Sequence, residues 1–97
     1  MRVEHLDPKL ERLETDQSYR AGLDHKIIKA FRKTMAIIRA AVDERAFYAL
    51  KGLHYEKLQG KRHRQRSMRL NDQFRLILEL RGNNGIAVIV VAIENYH

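Results

Sequence analysis

The sequence predicts an α+β fold in which two or three N-terminal helices pack on one face of a small, mainly antiparallel sheet. Three observations support that prediction. Between Ile27 and Val42 apolar residues recur at three- and four-residue steps, the period of an amphipathic helix. From Gln65 onward the period falls to two, so that Met68 and Leu70 share one face while Ser67 and Arg69 share the other. Finally, Ile86 to Ile93 is an unbroken apolar, β-branched run, expected of a central strand buried on both faces. Helical patterns first and strand patterns last segregate the helices to one face of an antiparallel sheet. A chain of 97 residues has room for one modest core, so residues 1–97 form a single domain.

Each element has its own local reason. Val3 and Leu6 anchor a short edge strand over the first six residues. Asp7 and Pro8 are an N-cap and a first helical residue, and a short helix containing Leu10 and Leu13 follows, ending near Asp16. Gly22 breaks the pattern and Asp24 caps a longer helix, with Ile27, Ile28, Phe31, Met35, Ile38 and Val42 on its inner face. Its outer positions Lys26, Lys29, Arg32, Lys33 and Arg39 read as a solvated face. Asp43 to Leu50 forms a further helical turn that places Phe47 and Leu50 on the core, and Gly52 releases the chain into a strand at His54 to Leu58. Asn71-Asp72-Gln73 is turn chemistry between two strands, the second carrying Phe74, Leu76, Leu78 and Leu80. Arg81-Gly82-Asn83-Asn84-Gly85 makes the last turn.

Composition removes several classes of function. Cysteine is absent, which excludes disulfides, thiolate catalysis and Cys-type metal sites, and agrees with a cytoplasmic location. There is no signal-like N-terminus and no apolar stretch of about 18 residues, so no membrane association is expected. No metal motif or phosphate-binding glycine loop is present, and neither Ser18 nor Ser67 sits on a nucleophile turn; the expectation is a site without metal or cofactor.

What stands out is charge. Between Lys57 and Arg75 lie seven of the 19 Lys and Arg residues against one acid, Asp72, which accounts for nearly all of the formal net charge of +7. A segment of this kind is built to meet a polyanion. Alternation places Arg69 and Arg75 on the sheet face left open by the helices, with Lys61, Arg62, Arg64 and Arg66 at its rim and Lys57 nearby. Glu56, His63, Tyr96 and His97 add groups capable of proton transfer. Cations beside such groups suit metal-free RNA cleavage: a base activates the ribose 2′-hydroxyl, cations stabilise the phosphorane, and an acid protonates the leaving 5′-oxygen. Arg75, whose guanidinium can engage two phosphoryl oxygens, is the candidate for transition-state stabilisation, His97 for the acid and Glu56 for the base, with Tyr96 stacking on a base or orienting the phosphate. Lys57, Lys61, Arg62, Arg64, Arg66 and Arg69 are the candidate RNA contacts. Four Tyr, three Phe and no Trp offer few stacking platforms, so recognition of single-stranded RNA would need help from a larger machine.

Leu58-x-Gly60, then Gln65-x-Ser67-Met68-Arg69-Leu70-Asn71-Asp72-Gln73-Phe74-Arg75, and the terminal Tyr96-His97 together resemble the HigB-like toxins, or plasmid maintenance system killer proteins, of the RelE/ParE superfamily. The resemblance is specific over about the last 45 residues, whereas the N-terminal half agrees in the order of its elements. It implies a RelE-like fold and the toxin of a type II toxin–antitoxin system, a ribosome-dependent mRNA endonuclease that inhibits translation. It also implies a HigA-like helix-turn-helix antitoxin as partner, with operator DNA reached only through the antitoxin complex. In that family a terminal Asp-Tyr-His contributes to the active site; here Asn95 replaces the Asp, and Gln59 stands where the family has Lys. Two other readings remain open at this point: a ParE-type gyrase inhibitor that cuts no RNA, and a non-catalytic RNA-binding module.

Overall fold

The structure, a computed structural model, describes residues 1–82 and 87–96. Its elements are β1 (Arg2–His5), α1 (Pro8–Thr15), α2 (His25–Ala40), α3 (Arg45–Ala49), β2 (Glu56–Lys57), β3 (Gln65–Arg69), β4 (Phe74–Arg81) and β5 (Ala87–Asn95), with single 3-10 turns at Lys51–Leu53 and Gly60–Arg62. The strands form one five-stranded sheet in the order β1-β5-β4-β3-β2, in which β1 runs parallel to β5 and every other pair is antiparallel. This is the α+β arrangement expected. The final turn proposed around Asn83-Asn84-Gly85 lies outside the described residues.

Both long helices start where side chains can satisfy their first amides. The Asp7 carboxylate accepts from the Lys9 amide at 2.9 Å, and Asp24 does the same for Lys26 at 2.7 Å. From α2, Ile28, Phe31, Met35 and Ile38 join Leu10 and Leu13 of α1, Phe47 of α3, and Met68, Leu76, Leu78, Val88 and Val90 of the sheet in one hydrophobic core. The hairpin's apolar face therefore packs on the helices, as its two-residue period requires.

Four expectations are corrected. Helix α2 stops at Ala40 because Ala41 turns extended (φ −69°, ψ 141°), so Val42 leaves the helical phase and is 83% exposed. Leu50, just past the short α3, is 45% exposed instead of reaching the core. Leu6 follows the end of β1 and points outward. Strand β5 is interior to the sheet, between β1 and β4, but it is fully buried only from Ala87 to Val90 and not along the whole apolar run.

Two of the arginines on the outer side of α2 are tied down internally. Arg32 donates to the backbone carbonyls of Leu13 (2.9 Å) and Asp16 (3.0 Å), binding the end of α1 to α2. Arg39 grips Glu14 with two hydrogen bonds, and Glu14 in turn meets the buried His5 ring at 2.9 Å. The Arg39 hydrogen bonds, more than any other cause, hold the Glu14 carboxyl below its ordinary range, opposed by partial burial. A carboxyl with a depressed folded-state pKa adds stability above its unfolded value and loses it as the pH falls through the folded one. Glu14→Gln is therefore expected to cost about 1–2 kcal/mol at neutral pH, a charged hydrogen bond discounted for the half-exposed arginine. In urea melts repeated down the acid range, the gap from the unmutated protein should close; a gap that stays constant would refute the account.

Candidate active site

The site grows out of strand register. Arg69 on β3 stands opposite Arg75 on β4, which stands opposite Glu94 on β5, so the three form a row across the sheet. Glu56 on β2 lies opposite Ser67, and Ser67 opposite Ile77, in the next row. All belong to the face turned away from the core cluster. A β-bulge decides what joins them. Leu78 pairs with Val90 while Ile77 pairs with Ala92, leaving Val91 as an extra residue on β5. Val88 and Val90 point to the core, and after the extra residue Ile93 does so, opposite the buried Leu76. Glu94, and Tyr96 two residues later, are thereby turned to the open face, whereas Asn95 is turned to the other.

These residues line a cleft of about 240 Å³ formed by His54, Glu56, Ser67, Arg69, Arg75 and Tyr96. Tyr96 is fixed at three points: its amide donates to the Gln73 carbonyl at 3.0 Å, its hydroxyl donates to the Asn71 carbonyl at 2.8 Å, and the Arg75 guanidinium lies 5.7 Å from its ring centre. The turn that receives it is itself ordered by the Asn71 side chain, which accepts from the amides of Gln73 (2.8 Å) and Phe74 (2.7 Å). Arg69 is held against Asp72 and the Asn71 carbonyl. Arg75 lies 3.5 Å from Glu94, and its Nε is buried without a hydrogen-bond acceptor among the described residues.

Sequence reasoning missed two members. Glu94 accepts two hydrogen bonds from Arg62, at 3.0 and 2.5 Å, and it is chiefly these that hold its carboxyl below the ordinary range, with the charges of Arg62 and Arg75 adding to them. Counting alternate residues along β5 from Val88 puts Glu94 on the core face; only the bulge reverses this, and an apolar run gives no sign of it. His54 precedes β2 in a left-handed conformation (φ 45°, ψ 51°), tolerated by His better than by most residues yet still strained. Its place between Gly52 and Glu56 was legible as a strand start, not as a kink that turns a ring into the cleft.

The predicted residues are distributed over more than one surface. Glu56, Arg69, Arg75 and Tyr96 meet in the cleft. Lys61, Arg62 and Arg64 line a neighbouring depression with Glu79 and Glu94. Lys57 and Arg66 pair with each other across β2 and β3, and Arg66 pairs with the core residue Leu78, which puts them on the helix side of the sheet. There Arg66 lies 3.6 Å from Glu44, whose carboxylate accepts from the Tyr55 hydroxyl at 2.6 Å. Burial, reinforced by that bond, pushes the Tyr55 phenol far above its usual range, so it remains a donor at any physiological pH. His63 sits on the 3-10 turn at Gly60–Arg62, its ring 3.2 Å from the Gly60 carbonyl. His97 lies outside the described residues. Among the described residues no group of His, Asp and Glu is arranged to hold a metal ion, and no helix is long and apolar enough to cross a membrane.

Comparison with known proteins agrees with this fold. No curated protein sequence matches the chain. A YoeB/ParE toxin from Agrobacterium tumefaciens has a similar structure, with a TM-score of 0.58 at 13% identity over the full length of both chains. A conserved hypothetical protein from Helicobacter pylori aligns with a TM-score of 0.55 at 11% identity, covering 99% of this chain and 94% of the other. At these identities the likeness concerns the fold. Residues 3–95 match the family model described as the RelE-like toxin of the type II toxin–antitoxin system HigB, and the chain therefore belongs to the HigB-like toxins.

Proposed function

We propose that this toxin is a ribosome-dependent mRNA endonuclease that needs no metal, and that a HigA-like helix-turn-helix antitoxin neutralises it. The observation that supports the reading best is the joint placement of two arginines, an imidazole, a carboxylate and a phenol around one cleft on the open sheet face. A protein that only binds RNA needs the cations but has no use for the proton-transfer groups. In the proposed reaction the scissile phosphate lies over Arg69 and Arg75, with Arg75 meeting the charge of the phosphorane. Lys61, Arg62 and Arg64 meet flanking phosphates from the adjoining depression, and Lys57 and Arg66 meet RNA that passes beyond the β2 edge. Glu56 or His54 takes the 2′-hydroxyl proton, Tyr96 orients the phosphate, and His97 protonates the leaving 5′-oxygen.

The test is to induce the protein without its antitoxin and map mRNA 5′ ends, using one reporter with a start codon and one without. New ends should appear only in the translated reporter. Growth arrest with no new ends in either would replace this reading by the gyrase-inhibitor one. The two candidate bases separate in the same assay: Glu56→Ala and His54→Ala are each made, and the true base is the one whose loss slows cleavage about 10²- to 10⁴-fold. If both variants cleave at the unmutated rate, neither residue is the base.

A further inference from the structure

We propose that the groove between α2 and the α3 to 3-10 segment seats an acidic, apolar-faced peptide segment of the antitoxin, and that Arg69 links its occupancy to the cleft. The groove, of about 610 Å³, has Ile37, Leu53 and Leu70 on its floor and Lys33, Lys51 and Arg69 among its walls, and no acidic residue lines it among the described residues. Leu50, 45% exposed, stands at its lip. Cations around an aliphatic floor complement a segment with carboxylates flanking apolar side chains. A nucleic acid would use the cations but gain nothing from the floor, for among the described residues no aromatic ring lines the groove on which a base could stack. That such a protein partner exists follows from membership of a type II toxin family; which segment of the antitoxin binds here follows from the chemistry of the groove.

Arg69 lines both the groove and the cleft. Its guanidinium is held at present by Asp72 and the Asn71 carbonyl, close to the turn that separates the two. A carboxylate entering the groove competes with the exposed Asp72 for that guanidinium and draws it away from the phosphate position, since a charge-assisted pair shielded in the groove is screened less than one at the surface. Neutralisation would then act on one wall of the cleft and leave Arg75 uncovered.

The experiment uses the intact toxin and the co-transcribed protein that restores growth. Leu50→Asp and Lys51→Glu, both on exposed residues outside the cleft, should each weaken that complex at least tenfold while the free variants cleave mRNA at the unmutated rate. Amide exchange in the unmutated complex should slow across residues 30–37 and 49–53, and a single-stranded 2′-deoxy oligonucleotide should bind the complex more weakly than the free toxin. Unchanged affinity in Lys51→Glu, or protection confined to other segments, would overturn the proposal even if Leu50→Asp proved unfoldable. So would a Lys51→Glu variant that loses oligonucleotide affinity alone. Equal oligonucleotide binding with and without the antitoxin would remove the link through Arg69. The proposal rests on family membership and not on the cleavage reading: a toxin that spares mRNA yet loses its antitoxin through these variants would sink that reading and leave this one intact.

Discussion

Arg75→Ala is expected to reduce mRNA cleavage by on the order of 10²- to 10³-fold, the usual effect of removing one preorganised charge contact from a transition state. Arg75 occupies the middle of the row formed with Arg69 and Glu94, with its guanidinium over the Tyr96 ring. Its ion pair with Glu94 and the Tyr96 ring beside it hold the guanidinium in place before any phosphate arrives. Arg75→Lys would keep the charge but not the planar fork and should recover only part of the rate. The fold should survive, because the side chain leaves the open face and Glu94 keeps its two hydrogen bonds from Arg62. Melting temperatures for both variants should stay within a few degrees of the parent. A variant with alanine at this position that cuts at the parent rate, by primer extension on a translated message, would remove Arg75 from the mechanism.

Phe31→Ala should have the largest effect on stability, about 3–5 kcal/mol, the range for emptying an aromatic site in a packed core. Phe31 is fully buried in the cluster that joins α1, α2 and the hairpin face. That cluster draws on helices and strands from the whole chain, which limits how far the site can collapse around the cavity. Chemical denaturation measures the loss directly; a change below about 1 kcal/mol would mean that the helix does not seat on the sheet as described. Since a small domain has only about 5–15 kcal/mol in all, this variant should also be the one most prone to degradation in the cell.

How much of this was legible beforehand depends on what each residue responds to. The periods of α2, β3 and β4 are local, and a buried face imposes them residue by residue, so Ile28, Phe31, Met35, Ile38, Met68, Leu76 and Leu78 were readable as core. The N-caps were readable for the same reason, since Asp7 and Asp24 act on amides two residues away. The open-face positions of Arg69 and Arg75 followed from alternation alone. Properties that depend on a distant partner were not readable. Arg62 reads from the sequence as a candidate RNA contact at the rim, but its guanidinium is committed to Glu94, 32 residues later. Arg66 was placed by its charge at the rim of the open face, whereas pairing with Leu78 directs it to the helix side and Glu44. His54 looked like the opening of a strand because a left-handed residue leaves no mark in a pattern of polarity. The pairing of β1 with β5 joins opposite ends of the chain, and nothing local could announce it.

The extra residue in β5 leaves position 91 open to change in both identity and length. Val91 has no direct cross-strand partner on β4 in the register, and its side chain is only partly buried, so many substitutions there should leave both core and cleft in place. Deleting it should be tolerated too: Leu78–Val90 and Ile77–Ala92 would become consecutive pairs, with Ile93 still opposite Leu76 and Glu94 still opposite Arg75. Slippage is a different event. If Val91 were kept and paired with Ile77, Ile93 would turn to solvent and the Glu94 carboxylate would be driven toward Leu76 in the core. The last strand segment can thus lose a codon at this point more safely than it can lose its irregular pairing.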